Sequence, residues 1–430
     1  MLRNGVSSRF VLATTAAALL VLLLCGRHLS TFYGPAIQRQ GHDESSTLIS
    51  LLRMRLRLGP ARTSRTMSPA GSDWSKPLDM PKIVGLVFFG RRQTVSILDC
   101  YLKRNLAKNG GLLDSVIWLK RTTDPTDLAL LDKILESEAD YAAQDVDLDN
   151  GGYGSAYANV EDDIMYIKID DDIIFIEDAA ISSIVQTKLA YPDHFLVSAN
   201  VINHPLLSWV HANLGAVKPY LPELDREYLA GEDGSSIDWR PSRLPAWNGT
   251  FGPEVATSWN SAHQRKHRWL PVTTASGHAD ELLDKTPIAQ NQYDPFGRGM
   301  SMWQMGAQQH YSLQENLEKN ELWRYKFQVW DFQYQRASIQ FIAIMGRDIN
   351  AVKPITWDDE GYFTVDMTKK LGRHAVADGR GVVAHYSYAN QVAEADNGGM
   401  KTTDVLDRYR SYARENICMG PMLWTHEMEK

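Results

Sequence analysis

Apolar and polar positions along residues 82–202 fall into blocks that predict strands and helices in turn. The first apolar run, IVGLVFFG, is rich in β-branched and aromatic residues and suits a strand buried on both faces. The next block places Val95, Leu98, Leu102 and Leu106 at helical spacing and ends in glycines. Strands and helices then alternate in the order LLDSVIWL, DPTDLALLDKILES, DDIMYIKIDDDIIFI, EDAAISSIVQTKLA and HFLVSANVI. This alternation predicts an α/β domain with a mostly parallel sheet and helices on both faces.

The alternation weakens after Asn203, where a stretch dense in Trp, Tyr, His, Pro and Gly runs to about Met305. Loops of that composition usually carry specificity. Apolar patterning typical of a helix and a strand returns from Asn320 to Gly346, and TDVLDRYRSYARENIC near the end predicts a helix. We therefore expect one continuous domain over residues 81–430.

The N-terminal segment has the pattern of a membrane anchor. Residues Phe10 to Cys25 carry no charge, and Arg3 and Arg9 precede them. A helix of about 17 residues covers about 25 Å, enough for a thin bilayer, and the preceding arginines favour a cytosolic N-terminus. The sequence thus predicts a cytosolic tail (1–9), a signal-anchor helix (10–26) in the lipid bilayer and a flexible stem (27–80) rich in Ser, Thr, Arg and Pro. A cleaved signal peptide is the alternative, although LLLCGRH is a poor cleavage site.

Charge and cysteine content exclude several classes of protein. The 430 residues carry a formal net charge of -7, which gives no electrostatic footprint for nucleic acid. One of the three cysteines, Cys25, lies in the apolar N-terminal run, so at most Cys100 and Cys418 can pair. A disulfide-rich scaffold and a cysteine-rich zinc site are therefore excluded.

Three consecutive carboxylates, Asp170, Asp171 and Asp172, interrupt the apolar segment YIKIDDDIIFI. Carboxylates at the end of a buried strand repel each other and lose hydration unless a cation neutralises them. Carboxylate oxygens suit Mg²⁺ or Mn²⁺, which can bridge the phosphates of a nucleotide. The alternative is a turn after the strand in which aspartates cap the next helix and face water.

The segment KIDDDIIFI resembles the DxD motif of nucleotide-sugar glycosyltransferases of the GT-A fold. The resemblance covers residues 82–195 in element order, and an anchor and stem before the domain resemble the type II layout of Golgi transferases. It implies a lumenal GT-A-like catalytic domain in the Golgi or endoplasmic reticulum, with Mn²⁺ or Mg²⁺ as cofactor. It also implies that Asp170 or Asp171 contacts the nucleotide sugar and that Asp172 binds the metal ion directly, with Asp170 as a further metal ligand.

A further metal ligand is implied by the same resemblance, because some GT-A enzymes supply a late histidine. His385 in VVAHYSY follows a strand-like run and is our candidate, since imidazole suits Mn²⁺. A lone histidine is more often structural. Arg91 and Arg92 close the first strand, where such folds begin their nucleotide pocket, and arginine can bind phosphate in a bidentate manner. Either arginine can equally be the solvated start of a helix.

A later acidic cluster in TWDDEGYFT supplies candidates for a catalytic base. Asp358, Asp359 or Glu360 could take a proton from an acceptor hydroxyl, and Glu254 is a weaker alternative. The competing interpretation is an exposed acidic turn before a strand. Asn248 in the tripeptide Asn-Gly-Thr is the predicted N-glycosylation site.

These observations predict a metal-dependent glycosyltransferase of the secretory pathway. Its partners would be a nucleotide-sugar donor and a glycan, protein, lipid or small-molecule acceptor. Two alternatives remain: another divalent-metal hydrolase, of phosphatase or nuclease type, and a noncatalytic glycan-binding protein. Hydrolysis without an acceptor would distinguish the first, and glycan binding without donor binding the second.

Overall fold

The structure, a computed structural model, describes residues 80–147, 152–224, 237–250, 266–275, 277–393 and 399–425. The predicted tail (1–9), membrane helix (10–26) and all but the last residue of the stem (27–80) lie outside these ranges, as does Glu254. No helix within the described ranges is long and apolar enough to cross a membrane.

Nine strands of the described chain form one large sheet, and four short strands form two small antiparallel pairs. The strands are β1 Ile83–Phe89, β2 Ser115–Lys120, β3 Tyr141–Asp145, β4 Met165–Asp170, β5 Ile173–Ile176, β6 Leu196–Ile202, β7 Tyr220–Pro222, β8 Trp269–Pro271, β9 Thr273–Thr274, β10 Gly277–His278, β11 Val329–Asp331, β12 Phe341–Met345 and β13 Ala375–His385. The large sheet has the order β11-β13-β6-β12-β4-β1-β2-β3, with β5 paired to β13. Strands β1, β2, β3, β4, β6 and β13 run in one direction, whereas β5, β11 and β12 run against them. The predicted α/β class with a mostly parallel sheet is therefore confirmed.

Helices flank this sheet, and the longer ones are α1 Arg92–Asn105, α2 Pro125–Ser137, α3 Ala180–Ala190, α4 Pro205–Asn213, α5 Trp303–Glu318 and α6 Val405–Asn416. Short helical segments are Arg298–Ser301, Gly346–Asn350, Asp359–Gly361, Tyr362–Met367, Thr368–Leu371 and Ala389–Ala393.

The start of α2 shows how the sequence sets the first residue of a helix. The Asp124 side chain accepts hydrogen bonds from the backbone N–H groups of Thr126 and Asp127 at 2.7 and 3.3 Å, and Pro125 occupies the first helical position. Both features favour a helix start.

The aspartate-containing segment forms two strands rather than one interrupted strand. β4 lies between β1 and β12 in the sheet, whereas β5 pairs with β13. Asp171 and Asp172 form the turn between them. The three carboxylates therefore lie at the carboxyl end of a buried parallel strand, as expected.

Two parts of the later sequence differ from expectation. Helix α5 begins at the end of the stretch interpreted as loops and continues through residues for which no element was predicted, and its side chains are buried from Trp303 to Asn316. The segment TWDDEGYFT does not lead into a strand, because residues 359–371 are helical. The Asp358 side chain accepts a hydrogen bond from the N–H of Gly361 at 3.2 Å, which favours a helix start over a turn before a strand.

The carboxyl ends of the parallel strands lie along one edge of the sheet, where ligands of α/β proteins collect. The chain passes from β1 to β2 on one side and reaches β4 on the other, so the order of strands reverses around β1. Arg91 follows β1, and the aspartates follow β4. His385 ends β13 and lies opposite Ile173 in the pairing of β13 with β5. The fold thus brings residues from distant parts of the sequence to one crevice.

Candidate functional site

The centre of this crevice is a buried pair, Asp172 and His385. His385 Nε2 lies 3.3 Å from Asp172 Oδ2, and both side chains are almost fully buried. The other polar atom of each side chain, Asp172 Oδ1 and His385 Nδ1, is buried without a hydrogen-bond partner among the described residues. Unpaired buried polar atoms are costly, so each points to an interaction not supplied by the described protein groups.

The spacing of this pair fits two ligands of one hard divalent ion. Two ligand atoms about 2.1 Å from an octahedral ion and at right angles to each other lie about 3 Å apart. The observed 3.3 Å between His385 Nε2 and Asp172 Oδ2 is close to that value. A carboxylate with an imidazole suits Mn²⁺, and such an ion keeps positions for water or phosphate oxygens. In the described ranges, no group of three or more His, Cys, Asp or Glu side chains is placed to hold a metal ion.

Arg91 lies directly against the aspartates. Its Nε is 3.1 Å from each carboxylate oxygen of Asp171, and its Nη2 is 3.1 Å from Asp172 Oδ2. Gly90 permits this approach, because a Cβ at that position would lie 3.2 Å from Asp171 Oδ2. The guanidinium therefore supplies part of the positive charge that the sequence assigned to a metal ion, and 48% of its side chain stays exposed for a ligand.

Asp170 and Arg92 have different surroundings from this centre. Asp170 forms an ion pair with the buried Lys168, whose Nζ lies 4.8 Å from the centre of the Phe88 ring. Arg92 bonds to Asp127 at 2.8 Å and thereby joins α1 to the first turn of α2. The structure thus places Asp170 near Asp172 and His385, with Lys168 as its ion-pair partner. The Arg92 side chain is directed toward α2. Their roles in binding metal and nucleotide stay predictions.

The charges of the centre depend on each other. Burial raises the pKa of Asp171 to about 6, although the charge of Arg91 acts to lower it. Burial also opposes ionisation of Asp172, but Arg91 and His385 outweigh it and hold the pKa of Asp172 below its usual value. For His385, burial has the largest single effect and lowers the pKa, but the charge of Asp172, its hydrogen bond and the charge of Asp170 together raise the pKa overall. A metal ion bound by His385 would therefore have to displace a proton, as metal ligation generally requires.

The later acidic cluster lies close enough to interact electrostatically with the aspartates. Asp358 bonds to Arg336 and caps the following helix. Asp359 is buried and accepts a hydrogen bond from the Tyr157 hydroxyl at 2.8 Å; burial raises its pKa. Glu360 Oε1 lies 2.9 Å from Arg336 Nε.

Glu360 has the properties of a proton acceptor that works near neutral pH. Burial raises the pKa of Glu360 to about 7, with a contribution from the negative charges of Asp359 and Asp170, while Arg336 and Lys168 act to lower it. Its side chain is 21% exposed, so a substrate can reach it. Of the three candidate bases, Glu360 is the one that combines a raised pKa with a side chain not occupied by a cap or a tyrosine.

An aromatic pair beside this cluster was not singled out by the sequence analysis. Trp357 is 74% exposed and Tyr153 is 41% exposed, with ring centres 6.2 Å apart. The guanidinium of Arg121 lies 4.7 Å from the centre of the Tyr153 ring. Gly152 allows this arrangement, since its φ is +51° and a Cβ there would lie 2.3 Å from Trp357 Cδ1. The glycine-rich turn in the sequence was the available signal.

Two remaining predictions concern the surface and the cysteines. Asn248 is exposed, as a glycosylated residue must be. Cys100 in α1 forms a disulfide with Cys418 after α6, with their Cα atoms 4.7 Å apart. This is the single pairing that the sequence allowed between the cysteines of the folded domain.

No protein-family model matches the chain, and a comparison with curated proteins found no significant match.

Proposed function

We propose that this protein is a metal-dependent glycosyltransferase with a GT-A-like domain, and that it moves a sugar from a nucleotide-sugar donor to an acceptor hydroxyl. The observation that carries the proposal is the buried pair of Asp172 and His385 at the carboxyl ends of the parallel strands. The pair has two unpartnered polar atoms among the described residues and the spacing of two metal ligands. Asp172 is the last aspartate of the DxD-like sequence KIDDDIIFI, which led to the same proposal.

Asp172 and His385 would hold the metal ion, Mn²⁺ or Mg²⁺. The ion supplies electrostatic stabilisation for charge that develops on a leaving diphosphate. Arg91, whose side chain is 48% exposed, lies where it can pair with a phosphate oxygen while it orients Asp171. Asp171 therefore acts in this proposal as the residue that positions Arg91.

Glu360 would take the proton from the acceptor hydroxyl. A base works best when its pKa lies near the working pH, and burial brings Glu360 to about 7. Arg336 contacts both Glu360 and Asp358, so it fixes the carboxylate relative to the helix that begins there. The exposed ring of Trp357 offers a flat apolar surface beside this base, suited to the face of a sugar.

Two features support a site of action in the secretory pathway, in keeping with the predicted type II anchor. A disulfide persists in oxidising compartments, and the Cys100–Cys418 bond joins positions 318 residues apart. The exposed Asn248 sequon can be glycosylated only there. The anchor, the Golgi or endoplasmic reticulum location and the lumenal orientation are part of the proposal.

A transfer assay tests the proposal. The full-length protein would be incubated with Mn²⁺, each common nucleotide sugar and a panel of glycan acceptors, and the released nucleoside diphosphate and glycosylated product would be measured. Asp172→Asn should reduce transfer by at least about a hundredfold, the loss typical of removing one group that stabilises developing charge. The control is Asp132→Asn, an exposed residue of α2. Equal transfer by both variants would refute the role of Asp172, and donor hydrolysis without product would favour the hydrolase alternative.

A further inference from the structure

Strand β13 leaves its regular pairing at the candidate metal ligand His385. The register of β13 against β5 shifts between Ala384 and His385, which marks a β-bulge, and β13 ends there. Bulges beside active sites re-aim a side chain. The N–H of Tyr386 still bonds to the carbonyl of Asp172 at 2.9 Å, but residues 386–388 belong to neither a strand nor a helix. The position of His385 therefore depends on contacts made outside the strand ladder.

Asn203 supplies such contacts from the end of a neighbouring strand. It directly follows β6 and is fully buried, and its Nδ2 lies 3.3 and 3.0 Å from the carbonyl oxygens of His385 and Tyr386. Its φ is +59°, in the left-handed region that a residue other than glycine rarely adopts. Strain of this kind persists only where the surroundings fix the residue, and it is concentrated at functional sites. In this conformation, the amide of Asn203 faces the backbone that carries His385.

Gln391 completes the arrangement from the other end of the same segment. Its Oε1 accepts hydrogen bonds from Asn203 Nδ2 at 2.9 Å and from the Tyr388 N–H at 3.1 Å. Its Nε2 donates to Asn203 Oδ1 at 3.0 Å, and both residues are fully buried. Because each amide is both donor and acceptor to the other, the two fix each other's orientation. This amide pair ties residues 385–391 to the end of β6.

Helix α5 covers the amide pair and leaves room for it through a glycine. A Cβ at Gly306 would lie 3.2 Å from Asn203 Oδ1 and 3.2 Å from Gln391 Nε2. Three residues farther along α5, Gln309 Oε1 accepts a hydrogen bond from the N–H of Asn203 at 3.3 Å. The amide pair is therefore packed against α5 and shielded from water.

We propose that Asn203 and Gln391 are positioning residues, which hold His385 where it can bind the metal ion together with Asp172. Neither side chain is itself a ligand; each fixes the backbone from which His385 projects. Replacement of a residue that orients a metal ligand typically weakens metal binding by about 10- to 100-fold. This inference rests on the proposed function, because it requires the metal ion, and it adds two residues that the sequence analysis did not consider.

The test is titration of the full-length protein with Mn²⁺, followed by electron paramagnetic resonance of the free ion. Asn203→Gly removes one amide and keeps a residue that adopts the left-handed conformation without strain, and Gln391→Ala removes the other amide. Each variant should bind Mn²⁺ at least about tenfold more weakly than the parent. The double variant should lose no more affinity than the weaker single variant, because the two amides act as one unit.

Two other asparagine variants separate positioning from general stability. Asn320→Gly changes an exposed asparagine with a φ of +56° and should bind Mn²⁺ like the parent. Asn316→Ala removes a buried amide near the end of α5 that bonds to the carbonyl of Ala216 at 2.9 Å. It should lower the melting temperature yet leave the Mn²⁺ affinity unchanged. All titrations are made at a temperature at which circular dichroism shows the variants folded, and Gln391→Ala alone decides if Asn203→Gly does not fold.

Equal Mn²⁺ affinity in the parent, Asn203→Gly and Gln391→Ala would overturn the inference and leave the metal centre intact. Losses that multiply in the double variant would overturn the action of the two amides as one unit. A loss in Asn316→Ala as large as that in Asn203→Gly would also overturn the inference, since general destabilisation would then explain both. A parent that binds no Mn²⁺ would overturn the proposed metal centre and this inference together, which is a different result from equal binding.

Discussion

The Glu360→Gln variant tests the electrostatics of the proposed base without knowledge of the donor. Burial raises the pKa of Glu360 from 4.5 to about 7, so ionisation of this group in the folded protein is unfavourable. Glutamine has nearly the same shape but carries no charge. Arg336 keeps its other carboxylate partner, Asp358, in the variant.

The size of the expected change in stability follows from the pKa of Glu360. A rise in that pKa from 4.5 to about 7 corresponds to about 3 kcal/mol of free energy, because each tenfold change in proton affinity is worth about 1.36 kcal/mol. In the folded state Glu360 binds its proton more tightly than in the unfolded state, so the parent loses stability as the pH rises through the folded pKa. Relative to the parent, Glu360→Gln should therefore show equal stability near pH 4 and be about 3 kcal/mol more stable near pH 8.

The assay is urea denaturation of the full-length parent and variant at a series of pH values. The control is Glu136→Gln, an exposed residue of α2, which should follow the parent at every pH. A stability difference between Glu360→Gln and the parent that does not change with pH would refute the reasoning. In the transfer assay, the same variant should lose about a hundredfold or more in turnover, as expected for removal of a general base.

Three further predictions concern other parts of the molecule. Replacement of both Cys100 and Cys418 by serine should lower the free energy of unfolding by about 3 to 5 kcal/mol, because their bond closes a long loop. A reducing agent should lower the melting temperature of the parent but not that of the double variant. An unchanged melting temperature of the parent would contradict this prediction. Trp357→Ala should change stability by less than about 0.5 kcal/mol, since the ring is 74% exposed, yet raise the acceptor KM; an unaltered KM would exclude an acceptor contact. Asn248→Gln should remove one glycan from protein made in a secretory host, seen as a mass decrease by mass spectrometry, and an identical mass would show that the sequon is not used.

The first half of the domain was predictable because its strands are continuous apolar runs. β1 and β6 are buried along their whole length, so neither alternation nor tertiary detail was needed to recognise them. β3 was not recognised as a strand, because YAAQD exposes three of its five residues and lies at the edge of the sheet.

Helix α5 was missed because its buried residues include polar ones. Gln308 bonds to the carbonyl of Lys218 at 2.9 Å, and His310 bonds to the carbonyl of Tyr386 at 3.0 Å. These partners are distant in sequence, so a pattern of apolar positions could not reveal that the helix is central. For TWDDEGYFT, the competing interpretation was an exposed acidic turn before a strand, but the Asp358 cap begins a helix instead.

The candidate site was located by sequence only in part. The aspartate triplet and His385 were identified from their flanking apolar runs and from a resemblance. The contact of Arg91 with Asp171 depends on the alignment of β1 beside β4, which brings together residues 80 positions apart. The pairing of Arg336 with Glu360 also arises from tertiary structure, which no local pattern encodes. Lys168 and Asp170, in contrast, lie two residues apart on the same face of β4, so their pairing is local.

Direct titration with Mn²⁺ tests the central claim, that Asp172 and His385 hold a metal ion. Binding to the full-length protein would be followed by electron paramagnetic resonance of free Mn²⁺, with and without a nucleoside diphosphate. The account predicts one Mn²⁺ per chain, tighter with the diphosphate, and loss of this binding in both Asp172→Asn and His385→Gln but not in Asp132→Asn. Equal Mn²⁺ binding by the parent and all three variants would contradict it.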